Sequence, residues 1–261
     1  MSNPREQLAD LLKRSREDAG YGTQAAFARL THVSRPVISR AENPDQPAPT
    51  PEVLKAYADE TDAGLEELED LAKRANGGTP AWFMPYRQAE SEATTLRVWT
   101  PLILPGLVQT GSYAREVISA SEDDPARVTE FVAARMERQQ VLERARLIAV
   151  IGARALRAEI GSAATMTDQC AHLAAVAERP NMRVHIVPDE NTGMWAGLDI
   201  ASAGTVATVC LSTALEDITS TDPATIDQAL LEFERVLGLA MPCRQSLDFI
   251  RTREEEWKAQ I

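Results

Sequence analysis

TQAAFARLTHVSRPVISRAE, residues 23–42, is the stretch whose reading decides the fold. Thr23 stands where an N-cap belongs, and Gln24 to Leu30 follows as a short amphipathic helix with Phe27 and Ala28 inward. Thr31-His32-Val33 breaks it as a tight turn. Ser34 then caps a second helix, Arg35 to Glu42, with Pro36 in the first turn, where a missing N–H costs little. Asn43-Pro44 stops that helix. Two short helices joined by a tight turn suggest a helix-turn-helix.

Outward from this core, Leu8, Leu11, Leu12 and Ser15 recur at helical spacing between Asn3 and Ala19, and the Gly20-Tyr21-Gly22 run ends the helix. Thr50-Pro51 reads as a cap and first-turn pair opening a fourth helix. An acidic fifth runs from Leu65 to Arg74. Residues 1–75 are therefore expected to form an all-α domain of five helices. Asn76 to Ala81 is a Gly/Pro break and the expected linker. Residues 82–261 form the second domain, with Trp82, Phe83 and Tyr86 as its first packing contacts.

The chain has 261 residues, room for about two domains. Apolar content of 44% and charged content of 25% fit a soluble globular protein. No basic start is followed by an apolar run, so no secretion leader is expected, and no apolar run reaches the roughly 18 to 20 residues of a membrane helix. A cytoplasmic location is expected. Cys170, Cys210 and Cys243 are read as reduced, buried thiols. With His32, His172 and His185 they make no metal-ligand spacing, so neither metal nor cofactor is expected.

The net charge of -12 is uneven. Residues 1–44 carry seven Lys/Arg and five Asp/Glu, a net of +2, whereas residues 45–76 carry three against nine, a net of -6. An acidic bulk argues against non-specific coating of nucleic acid but leaves room for a locally basic reading head.

The stretch 23–42 resembles the XRE, or phage-repressor-like, helix-turn-helix family: Thr-Gln opens its first helix, Phe-Ala lies mid-helix, Val-Ser lies in the turn, and Ile-Ser-Arg with a Glu closes the second. The resemblance implies double-stranded DNA as partner. It places Gln24 and Ser34 at phosphates, where helix N-termini favour anions. It places Arg35, Ser39 and Arg40 at base edges, with Pro36 giving apolar contact. It also implies an ion pair between Arg16, late in the first helix, and Glu42. His32 stands where the family usually has Gly, so a positive φ is expected there. Ala26 replaces a common acid, which removes the capping box.

The second domain reads as α+β, a modest sheet with several helices. Strands are expected at Thr95–Thr100, Leu147–Ile151 and Arg183–Val187, with a hairpin of Leu198–Ala201 and Val206–Leu211 about Gly204. Helices are expected from Pro105 through Val117, from Pro125 to Ala145, from Met166 to Glu178, after Asp222-Pro223, and after Pro242. WTPLILPGLVQTGSYAR, AARMERQQVL, RPNMRVHIVP and DPATIDQALLEFERVLGLAMPCRQS resemble the C-terminal domain of Scr-type, WhiJ-like regulators of actinobacteria. Its specific signatures are Pro-Gly-Leu-x-Gln-Thr and Arg-x-x-Arg-Gln. The family is antitoxin-like and is often encoded beside a small partner protein. Cys210 and Ser212 stand where that family commonly has Tyr and Glu.

Within these motifs Leu102, Ile103, Leu104 and Leu107 are read as core. Trp99, Gln109 and Tyr113 are read either as core or as one wall of a ligand or partner pocket. Arg135 and Arg138 share a helix face and either grip an anion or pair with Glu130, Glu137 or Glu143 along their helix. Trp195, in the polar loop DENTGMWAG, is either a partner contact or folded inward. No Gly-rich phosphate loop, G-x-S-x-G or His-Glu zinc pattern is present, and His185 with Asp199 and Ser202 is a poor triad, so no enzyme is expected. The expectation is a homodimeric, sequence-specific regulator whose second domain dimerises, senses a small molecule or binds a small protein. The alternative is an antitoxin-like module that sequesters a partner and uses DNA binding for autoregulation.

Overall fold

The computed structural model describes residues 4–77, 83–191, 196–212 and 218–261. The chain divides into two compact units, Met1–Met84 and Pro85–Ile261.

The first unit is five helices: α1 (Pro4–Asp18), α2 (Gln24–Thr31), α3 (Arg35–Ala41), α4 (Pro51–Glu60) and α5 (Leu65–Ala75). Their apolar stripes meet in one core built on Leu8, Leu12, Phe27, Ile38, Leu54, Tyr57 and Leu68. Phe27 packs on Tyr57 with ring centroids 4.6 Å apart, and Tyr21 closes on Phe27 at 5.4 Å. Thr23 caps α2, its hydroxyl accepting from the Ala26 amide at 3.2 Å. His32 ends α2 with φ 56°, the left-handed conformation expected of the turn. Ser34 occupies the N-cap position of α3, but its side chain makes no cap hydrogen bond.

The second unit opens with α6 (Met84–Glu92), followed by β1 (Thr95–Thr100), α7 (Gly111–Ser119), α8 (Pro125–Arg138), β2 (Arg146–Gly152), α9 (Arg154–Arg157), α10 (Ala163–Ala177), β3 (Met182–Val187), β4 (Gly197–Ala203), β5 (Val206–Ser212), β6 (Ile218–Ser220), α11 (Pro223–Gly238) and α12 (Cys243–Lys258). The six strands form one mixed sheet in the order β3-β2-β1-β4-β5-β6. β1, β2 and β3 run parallel and are joined by helical crossovers, and β4 to β6 run antiparallel. Leu198 pairs with Leu211 across the β4–β5 hairpin that turns at Gly204.

α11 lays Ala229, Phe233 and Val236 over one sheet face, on Trp99, Val150, Leu198, Ile200 and Val209. α12 packs along β3 and α10, and the Trp257 indole N–H donates to the Leu156 carbonyl at 2.9 Å. After β1 the chain crosses the end of β2 so closely that a Cβ on Gly152 would meet the Pro101 carbonyl, which restricts that position to glycine.

Several expected boundaries move. The helix expected from Pro105 is a 3-10 turn, Gly106–Val108, then α7, because Gln109 breaks into extended backbone and Thr110 caps the new helix by accepting from the Tyr113 amide. α8 ends at Arg138 and tightens into a 3-10 turn, Gln139–Glu143. α10 begins at Ala163, three residues before the expected start at Met166, and is capped by Ser162, whose hydroxyl accepts from the Thr165 amide. α6 and β6 lacked a periodic signal and were not expected.

Candidate functional site

α3 turns Ile38 and Ala41 into the core and Val37 partly so. At helical spacing the opposite side must then carry Arg35, Pro36, Ser39 and Arg40, and all four are exposed. Neither the Arg35 nor the Arg40 guanidinium meets a carboxylate among the described residues. The Ser34 hydroxyl just before them is likewise exposed and makes no hydrogen bond within the described protein.

What holds α3 in place is a buried carboxylate. Glu42, one residue past the helix, accepts from Arg16 Nε at 2.6 Å and Nη2 at 2.9 Å, from Gln24 Nε2 at 3.0 Å and from the Tyr57 hydroxyl at 2.7 Å. The expected Arg16–Glu42 ion pair is present, and both side chains are only 4% exposed. Burial pushes the Glu42 carboxyl up, but the hydrogen bonds from Arg16, Gln24 and Tyr57 win and leave it below the ordinary glutamate value. Burial and the bond to Glu42 drive the Tyr57 phenol well above its usual range. The Gln24 amide, expected at a phosphate, spends one N–H on Glu42 inside the domain.

Arg5 carries no signal in the sequence that marks its role. From the first turn of α1 its guanidinium donates to the carbonyls of Arg40 at 3.0 Å, Ala41 at 2.9 Å, Asn43 at 2.7 Å and Gln46 at 2.7 Å. These carbonyls lie at the end of α3 and just beyond, so one cation caps that helix from outside it.

In the second unit the two signature motifs grip one another. Gln139 Nε2 donates to the carbonyls of Gly106 at 3.0 Å and Gln109 at 2.7 Å. Arg135 Nη1 donates to Gln109 Oε1 at 2.9 Å, while Gln109 Nε2 donates to the Leu104 carbonyl at 2.8 Å. Gln169 of α10 seals the other side, donating to the Val108 carbonyl at 2.8 Å and accepting from the Thr110 amide at 2.7 Å. Pro-Gly-Leu-x-Gln-Thr is thus a 3-10 turn and an extended link whose backbone groups are met by Gln139 on one side and Gln169 on the other.

Trp99, Gln109 and Tyr113 are corrected to core. Trp99 and Tyr113 are fully buried and Gln109 is 2% exposed, so none of them walls an open pocket. Leu102 and Ile103 reverse the other way and are exposed. The ion pairs expected along α8 are also corrected. Arg138 reaches off its helix to Glu90 of α6, with Nε–Oε1 2.6 Å and Nη2–Oε2 2.5 Å, and Arg135 pairs with no carboxylate among the described residues. Trp195 lies outside the described residues.

His185 and Asp199 sit on opposite faces of the sheet by register, which removes the triad. His185 instead meets Cys243 at the start of α12, with Nε2···Sγ 3.3 Å and Nδ1 3.0 Å from the Met241 carbonyl. Cys243 is half-buried and Cys170 and Cys210 are buried, so the reading of three buried thiols holds for two. Among the described residues no group of three or more His, Cys, Asp or Glu side chains is placed to hold a metal. No described helix is long and apolar enough to cross a membrane.

A two-helix motif with an exposed polar face on its second helix defines a DNA-binding, helix-turn-helix class of regulator, and residues 7–71 match the family model described as "Helix-turn-helix domain". Residues 83–252 match the model described as "Domain of unknown function (DUF5753)", and the chain belongs to that family. No curated protein and no solved structure matches the chain.

Proposed function

We propose that this chain is a sequence-specific transcriptional regulator of the XRE type, acting in the cytoplasm as a homodimer, with a second unit that responds to a small molecule or a small partner protein. The observation that carries the reading is the outward face of α3, where Arg35, Pro36, Ser39 and Arg40 are exposed while the helix is anchored from behind by Arg5 and Glu42. Arg35 and Arg40 read base edges, Pro36 offers apolar contact to a thymine methyl, and Ser34 takes a phosphate. Two copies related by a two-fold axis supply the contacts that one such helix lacks. No catalytic step is assigned to it.

The test is binding of duplex DNA selected by the protein from a random pool. Arg35→Ala and Arg40→Ala each lose about 1–3 kcal/mol of discrimination at one base position and keep the fold. Unaltered sequence preference in both variants would remove α3 as the reading helix.

The antitoxin-like alternative, in the manner of WhiJ-like regulators, is favoured by Leu102 and Ile103, adjacent apolar side chains 47% and 45% exposed, which suit a protein partner. Co-purification of a small protein in fixed stoichiometry from the native host separates this reading from the first.

A further inference from the structure

Arg135 stands in the last turn of α8 as a cation without a counter-charge. Among the described residues it makes no ion pair, and its one hydrogen bond there is the 2.9 Å contact from Nη1 to Gln109 Oε1. The charge that acts on it is another cation, Arg138. A Cβ built on Gly106 would lie 3.8 Å from Arg135 Cδ, 3.9 Å from Arg135 Nε and 3.8 Å from Arg138 Nη1, so both guanidiniums border the same glycine. Burial, reinforced by Arg138, pulls the Arg135 guanidinium down to about 10.

The neighbouring cations differ. Arg138 is neutralised by its two bonds to Glu90, and Arg87 shares the same carboxylate at 3.5 Å. One carboxylate thus touches two arginines and leaves the third uncompensated. A half-buried guanidinium spent on one bond to a neutral amide is a costly arrangement, since a neutral donor would hold Gln109 as well. The fork is also fixed in direction. Gln109 Nε2 is tied to the Leu104 carbonyl, so Oε1 must face Arg135 and engage one end of it. Nε–H and the Nη2 edge make no hydrogen bond among the described residues, and that edge matches two oxygens of a carboxylate or phosphate.

We propose that the Nε/Nη2 edge of Arg135, beside Gly106 and Arg138, binds the carboxylate or phosphate group of an acidic small molecule. This inference rests on the reading of the second unit as effector-responsive, and it assigns the effector's charge and its point of attachment. Binding there adds the missing counter-charge against the Gly106–Thr110 loop, which α8 and α10 both hold.

The experiment is hydrogen exchange of the full chain over residues 104–113, in inorganic phosphate or citrate against chloride at matched ionic strength. Slower exchange in phosphate, citrate or both is expected, and the anion that protects better assigns the group. Arg135→Gln, which can still donate to Gln109, abolishes the protection, and Arg135→Lys, which keeps the charge without the fork, weakens it several-fold. No protection by either anion, or equal protection in wild type and Arg135→Gln, overturns the proposal. Affinity for the selected DNA is followed in the same solutions for wild type and Arg135→Gln. Protection with unaltered DNA affinity upholds the site and overturns its use as a regulatory input.

Discussion

Arg138 and Glu90, 48 residues apart in sequence, meet through two hydrogen bonds of 2.6 and 2.5 Å, and the Glu90 side chain is 2% exposed. The pair ties α6 to the end of α8. Removing one partner leaves the other charged and buried, so Glu90→Gln is expected to cost about 3 kcal/mol in the second unit. Chemical denaturation followed by a probe in that unit measures it. The double variant Glu90→Leu/Arg138→Met, which removes both charges, should recover most of the loss. A double variant as unstable as the single one would show that the pair itself, and not the stranded charge, sets the cost.

Acid should loosen α3 through Glu42. Its carboxyl is held below the ordinary value in the folded state, so its stabilising contribution is complete above the unfolded value near about 4.3 and fades as pH falls through the folded value. Protection of the α3 amides, taken relative to the intrinsic exchange rate at each pH, should therefore fall below pH ~4 in wild type. Glu42→Gln lacks this titration and should start less stable but with a flatter pH profile. Parallel profiles for the two proteins would contradict the assignment.

His32 supports a left-handed backbone at φ 56°. That conformation costs an L-residue about 1–2 kcal/mol, partly offset in glycine by an entropic cost of about 0.5–1 kcal/mol. His32→Gly should thus be neutral or stabilising by under about 1 kcal/mol, and His32→Val should destabilise by more than about 1 kcal/mol because a β-branched side chain fits that region worst. Melting of the two variants side by side gives the answer, and a more stable Val variant would refute the turn geometry.

Cys243 should be the first thiol alkylated in the native protein. It is half-buried at the start of α12, whereas Cys170 and Cys210 are buried and the Cys170 thiol is pushed up to about 12 by burial. The Met241 carbonyl can only accept, so Nδ1 of His185 carries the proton and Nε2 faces the thiol as an acceptor. Iodoacetamide labelling read by peptide mass should mark Cys243 and slow in His185→Gln. Labelling of Cys170 or Cys210 at the same rate would mean that the second unit opens readily.

The sequence by itself determined what depends on neighbours along the chain. The cap at Thr23, the helix start at Thr50-Pro51, the helix-turn-helix with its left-handed His32, the α+β character of the second unit and the Gly204 hairpin all follow from period, cap and turn chemistry over a few residues. The Arg16–Glu42 pair was legible only through a family resemblance. Tertiary structure alone decided the rest. α6 and β6 are short and have no periodic face, so packing makes them. Arg5 finds the end of α3, Arg138 finds Glu90 in place of the glutamates on its own helix, and Gln109 is buried by partners on α8 and the preceding loop. Sequence spacing fixes which side chains share a face, but not which distant group the fold brings to that face, and burial makes such a partner worth more than an exposed one three or four residues away.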